Sequence, residues 1–166
     1  MPGYGDDAGF ATWLASVGLT VPATTAPAVL RQIGADYVDA TYEARLQCSN
    51  RAAGFAQERA WPRVGHVVNG QAVPTDLIPL QWINASYRAA WLEANMPGWA
   101  TRVVDPARVI KREKTDVLER EFMETDLDAS GAYAGTRQDA QIGAMVSAWL
   151  CLPRSEVSFG VLSVGS

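Results

Sequence analysis

Histidine is almost missing from this chain. His66 is the only one in 166 residues, so a Ser-His-Asp or Cys-His pair would have to be built on it. It follows Gly65 in a stretch without a motif, which reads as a loop histidine satisfied by its neighbours. No G-x-S-x-G, H-E-x-x-H, P-loop or G-x-G-x-x-G sequence occurs. Asp126 and Asp128 occupy two positions of a calcium loop, but the remaining ligands and the closing Glu are missing. Cysteine is nearly as scarce. Cys48 and Cys151 stand far apart without metal-type spacing and read as buried free thiols in a reducing compartment. No apolar run nears the roughly 18 residues of a membrane span. The start, Met1 to Asp7, has neither the basic lead nor the apolar centre of a signal peptide. Charged residues make up only 19%, with a net charge of −4 and a pI near 4.9. That average speaks against general nucleic-acid binding, which depends on neutralising phosphates, although a local basic strip is compatible with it. The expectation is no enzyme, no cofactor, no metal, no membrane partner, and synthesis in the cytoplasm.

What the chain does have is apolar and aromatic area. Hydrophobic residues reach 48% and there are six tryptophans, which fill cores or contact surfaces. The spacing predicts a central helix from Pro79 to about Asn95, with Leu80, Ile83, Tyr87, Ala90, Trp91 and Ala94 at helical period. Trp82, Ala85, Ala89 and Leu92 widen its apolar side. Proline suits its start, and Asn95-Met96-Pro97-Gly98 stops it. After a loose lead over residues 1–5, Asp6 or Asp7 caps a short helix to about Val17. Phe10, Trp13, Leu14 and Val17 form its face, and Gly18 its stop. A second long helix runs from about Pro27 to Leu46. Leu30, Ile33, Tyr37, Val38, Thr41 and Tyr42 face in; Arg31, Asp36, Asp39, Glu43 and Arg45 face out. Gln47 to Pro74 is irregular, with a tight turn at Asn69-Gly70. A last helix covers about Gln138 to Leu150 and ends before Pro153. Trp13, Ile33, Tyr37, Ile83, Tyr87, Trp91 and Leu92 are the expected core.

Between these helices the pattern turns to charge alternation. Val109 to Lys114 and Val117 to Phe122 read as two strands joined near Thr115-Asp116. Neither face of that ribbon is apolar throughout, and an isolated hairpin is marginal in water, so it reads as an arm in need of a neighbour. Glu119, Glu121 and Glu124 belong to its solvated face. Residues 155–166, with Val157, Phe159, Val161, Leu162 and Val164, are too apolar for a disordered tail and too few for a core. They read as an extended C-terminal arm that docks on another protein.

Two basic clusters suit single-stranded nucleic acid, where rings stack on bases and cations follow phosphates. One is Arg59, Trp61 and Arg63; the other is Lys111, Arg112 and Lys114. The alternative is that Trp61 packs while Pro62 turns the chain, and that the ribbon cations pair with Glu113, Glu119 and Glu121.

The order of these parts resembles a known family. An N-terminal helix pair is followed by A-W-P-R at Ala60 to Arg63, then by Ile78-Pro79 opening an alanine-rich helix. The V-I-K-R-E-K…E-R-E-F ribbon from Val109 to Phe122 and a closing helix complete it. Over roughly residues 6–150 this resembles tailed-phage head–tail connector (adaptor) proteins, often labelled DnaT-like single-stranded DNA-binding proteins. Thr115-Asp116 stands where such proteins usually have a glycine at the ribbon turn. The resemblance implies a mainly α protein: a helical connector domain over 1–150, with the β-hairpin about 109–123 inserted, and an arm over 151–166. It implies a ring, twelve copies, beneath the portal at the head–tail junction of a virion. Its partners would be the portal, its own copies and a downstream neck or tail-terminator protein, with genomic DNA passing through unread. Val157, Phe159, Val161, Leu162, Lys111, Arg112, Lys114 and Phe122 are the expected contacts with portal or neighbour. The family label implies the alternative, single-stranded DNA binding, with Arg59, Trp61 and Arg63 as contacts.

Overall fold

The computed structural model describes residues 3–22, 24–101, 112–115, 118–121 and 138–151. Four helices dominate: α1 (Asp7–Ser16), α2 (Pro27–Tyr42), α3 (Leu80–Asn95) and α4 (Ala140–Ser147). A 3-10 turn, Glu43–Leu46, prolongs α2. Two small antiparallel pairs follow, β1 (Asn50–Arg51) with β2 (Arg63–Val64) and β3 (Val67–Val68) with β4 (Gln71–Ala72). The ribbon is β5 (Arg112–Thr115) with β6 (Leu118–Glu121). Mainly α is therefore the fold class, as the helical periods predict.

The helix ends follow local chemistry. The Asp6 carboxylate accepts from Gly9 N at 2.6 Å and starts α1; Gly18, at φ +69°, ends it. Pro79 is the residue before α3 rather than its first turn, and Met96 closes that helix, with Gly98 at φ +83°. Asp139 caps α4 by accepting from Gln141 N and Ile142 N at 3.0 Å, so that helix begins two residues later than the spacing predicts. Asn69 and Gly70 both take positive φ, which the two-residue turn between β3 and β4 requires.

The α2–α3 pair is the centre of the molecule. At Gly34 the helices approach so closely that a Cβ would collide with the Ser86 carbonyl. Their shared core holds Ala35, Val38, Tyr42, Trp82, Ala85, Ala89 and Leu92, and α4 adds Ile142 and Val146. A smaller cluster of Phe10, Trp13, Leu14, Leu30, Tyr87 and Ala90 seats α1 on that pair.

Several expectations need correction. Trp82 is the fully buried tryptophan of α3, whereas Trp91 is half-buried and bonds the Thr20 carbonyl at 2.9 Å. Ile33 and Ile83 are half-buried as well. Leu80 and Val17 are exposed. Residues 3–5 are no loose lead: Tyr4 is 3% exposed and enters the core. Arg31 and Asp39 do not face solvent; both are buried, because their ends find fixed partners inside. Cys48 and Cys151 are not free thiols but a disulfide.

Candidate functional site

The polar chemistry of the body begins with Asp39. It shares the inner face of α2 with Ala35, Val38 and Tyr42, positions three or four apart. An unpartnered carboxylate there would be costly. Instead it accepts from Tyr4 Oη at 2.8 Å, Trp82 Nε1 at 3.1 Å and Ala60 N at 3.2 Å. Arg59 lies 3.6 Å away. Burial raises the Asp39 pKa above the usual carboxylate range; the three hydrogen bonds and Arg59 pull it back. Burial, then the Asp39 charge, push the Tyr4 phenol above its ordinary value.

The expected A-W-P-R segment lies directly against this carboxylate. Trp61 is 1% exposed, and its ring meets Trp82, Trp149 and His66 edge-on at 5.9, 5.6 and 4.9 Å between centroids. The Trp61–Pro62 peptide is cis. Arg63 is 5% exposed. It donates to Ser49 Oγ at 2.7 Å and to the carbonyls of Ala60, Leu46 and Ser49. Burial lowers its pKa. Arg59 pairs with Asp36 at 2.6 Å. These three residues were candidates for nucleic-acid contact. The structure turns the ring and both guanidinium groups inward, so none is presented to a base.

Three of the other arginines of the body are committed in the same way. Arg31 binds Asp7 at 2.7 Å and reaches the carbonyls of Gly3, Tyr4 and Gly5. Arg51 forks onto Glu43, both bonds 2.6 Å. Arg88 forks onto Asp139 at 2.7 and 2.9 Å, tying α3 to the start of α4. That guanidinium, ahead of burial, sets the direction of the Asp139 shift and holds its pKa below the usual carboxylate range. Residues 3–101 contain six arginines and no lysine; five of the six sit within ion-pair distance of a carboxylate. An open polar cleft remains between Asp39, Glu43, Gln47, Asn50 and Arg63.

The ribbon differs. Its register sets Arg112 across from Glu121, Glu113 from Arg120 and Lys114 from Glu119. Among the described residues neither β5 nor β6 pairs with a third strand. Arg112 and Lys114 thus lie on the predicted ribbon. Lys111, Phe122, Val157, Phe159, Val161 and Leu162 lie outside the described residues, as does the arm expected over 151–166 apart from Cys151.

The sequence reading missed one cluster altogether. The Cys48–Cys151 bridge joins the end of the α2 extension to the residue after Leu150. His66 stands beside it, buried, with Nδ1 2.9 Å from Ser49 Oγ and 3.8 Å from Cys48 Sγ. Burial lowers the His66 pKa, against a backbone hydrogen bond to Trp149 that raises it. Nothing in the spacing of these residues announces that they meet; only the packing of α4 on α3 brings Cys151 back to Cys48.

These features define a small, mainly helical protein with an inward-tied cationic set and a charged two-stranded ribbon. The chain belongs to the family described as "Putative DnaT-like ssDNA binding protein", whose family model matches residues 3–159. No curated protein and no solved structure matches it. Among the described residues, no helix is long and apolar enough to cross a membrane.

Proposed function

We propose that the chain is a structural adaptor of a tailed-phage virion, forming a ring beneath the portal that extends the DNA channel and receives a neck or tail protein. The observation that carries this reading is the fate of the cations. Five arginines of the helical body are held by its own carboxylates, within a chain of net charge −4. A wall that conducts DNA has to leave it unbound, and this arrangement withdraws positive charge from the surface. The ribbon supports the same reading. A two-stranded element that has no third strand among the described residues gains by strand addition to a neighbour, and head-to-tail contacts between copies close into rings. The order of segments from the A-W-P-R stretch to the closing helix resembles connector proteins. Mixing the protein with purified portal rings and imaging the complex tests it. A layer of twelve copies against the portal is expected; portal rings that stay bare overturn the reading.

A second reading is favoured by the family description, which names single-stranded DNA binding. With Arg59, Trp61 and Arg63 buried or paired, this function would fall to the ribbon, around Arg112 and Lys114. Substituting both by alanine should then abolish oligonucleotide binding.

A further inference from the structure

We propose that Cys48, His66 and Cys151 form, once the disulfide is reduced, a three-ligand site for a divalent cation of the zinc type. Two thiolates and an imidazole are the donor set such an ion takes, and a fourth position left to water completes a tetrahedron. The donor atoms of the three residues already lie within 4.8 Å of one another. A tetrahedral zinc with bonds of about 2.3 Å to sulfur and about 2.0 Å to nitrogen sets those two ligands about 3.5 Å apart. Cys48 Sγ and His66 Nδ1 stand at 3.8 Å. The two sulfurs need only part from bonding distance to about 3.8 Å, which rotation of the exposed Cys48 side chain can supply.

The surroundings are built to hold the ligands. Cys151 is fixed through its N–H to the Arg45 carbonyl at 2.9 Å. His66 is clamped by the Trp61 ring and by its own carbonyl, which accepts from Val73 N at 2.9 Å. Its backbone hydrogen bond to Trp149 occupies one ring nitrogen. Nδ1 is the ring nitrogen that faces Cys48 Sγ, and a partner on the rest of the residue holds the ring as outer partners hold metal-binding histidines. Ser49 Oγ, 2.9 Å from Nδ1, can turn to the Leu46 carbonyl at 3.2 Å when a cation takes its place. Arg63, bonded to Ser49, adds positive charge that favours thiolate over thiol.

The chemistry closes. A dithiol reductant transfers two electrons and two protons to the bridge, giving two thiols and its own disulfide. The cation then displaces both thiol protons to solvent. Disulfides are rare in reducing cytoplasm, so the metal form belongs inside the cell and the bridged form outside it.

The test uses the full chain and cobalt(II) as the spectroscopic stand-in for zinc. After reduction with a phosphine and its removal without air, cobalt should bind at one equivalent. Sulfur-to-metal charge-transfer absorption and the intense visible bands of a tetrahedral site should appear, and zinc should abolish both. The oxidised protein should show neither. Cys48→Ser and Cys151→Ser, each checked for helicity, should weaken binding at least tenfold. Absence of these bands from the reduced protein, equal bands in the oxidised protein, or unchanged affinity in Cys48→Ser would overturn the proposal.

Discussion

The helical body and the ribbon place their charged residues differently. In the body, Arg31, Arg51, Arg59, Arg63 and Arg88 reach inward or across helices to carboxylates that the fold has already fixed. On the ribbon, Arg112, Lys114 and Arg120 take strand positions opposite Glu121, Glu119 and Glu113. A basic cluster in sequence has no meaning until its partners are placed. Arg59-Ala60-Trp61-Pro62-Arg63 has the composition of a nucleic-acid contact and the location of a core.

The sharpest way to break the comparison is to remove the body's central carboxylate. Asp39→Ala strands three donors, from Tyr4, Trp82 and Ala60, and should cost about 3–5 kcal/mol, as loss of one partner in a buried polar pair does. Lys114→Ala on the ribbon should stay within about 0.5 kcal/mol. Denaturant midpoints of the two variants compare them directly; similar losses would mean that body and ribbon do not differ as described.

Next in size is the tryptophan contrast. Trp82→Ala should cost about 3–5 kcal/mol, the range for large aromatics removed from a core. Trp91→Ala should cost clearly less, because its ring is half-buried. The reverse order, read by thermal melting, would place the core on the other side of α3.

That contrast also marks what the sequence could disclose. The helical period located α1 and α3 almost to the residue, and α2 together with its 3-10 extension, since apolar spacing and proline or glycine punctuation act locally. It could not rank Trp82 against Trp91, because α3 is apolar most of the way round and the ranking depends on where α2 and α4 pack. Asp39 read as a surface residue for a similar reason. Its partners Tyr4, Ala60 and Trp82 come from three distant segments. The same holds for the meeting of Cys48, His66 and Cys151, which no local pattern encodes. The ribbon, by contrast, was legible as a charged hairpin, since strand pairing across a short turn is a local matter.

Reducing the disulfide tests how firmly α4 is held to the body. The bridge closes a sequence separation of 103 residues, and cross-links over long loops stabilise by about 2–4 kcal/mol. The metal-free Cys151→Ser protein should be less stable by that amount and melt at a lower temperature, with its helical spectrum retained. An unchanged melting temperature would show that the bridge contributes nothing beyond the packing of Ile142 and Val146.

A smaller effect separates the carboxylates by pH. Asp139 has a folded pKa below its unfolded value, chiefly through Arg88. Its stabilisation is present above about pH 4 and is lost as pH falls through the folded value. Asp39 is shifted upward by burial, so it weakens the fold as pH rises through its folded pKa. Asp139→Asn should therefore flatten the acid limb of a stability-against-pH curve. An acid limb as steep as in the parent would assign that slope to other groups.

A channel adaptor of the kind proposed above leaves DNA unbound. The most direct measurement is a titration of the full chain with a single-stranded oligonucleotide at about 50 and about 200 mM salt, a range over which phosphate contacts lose affinity steeply. No binding that responds to salt is expected. Tight binding at the lower concentration that collapses at the higher one would contradict it.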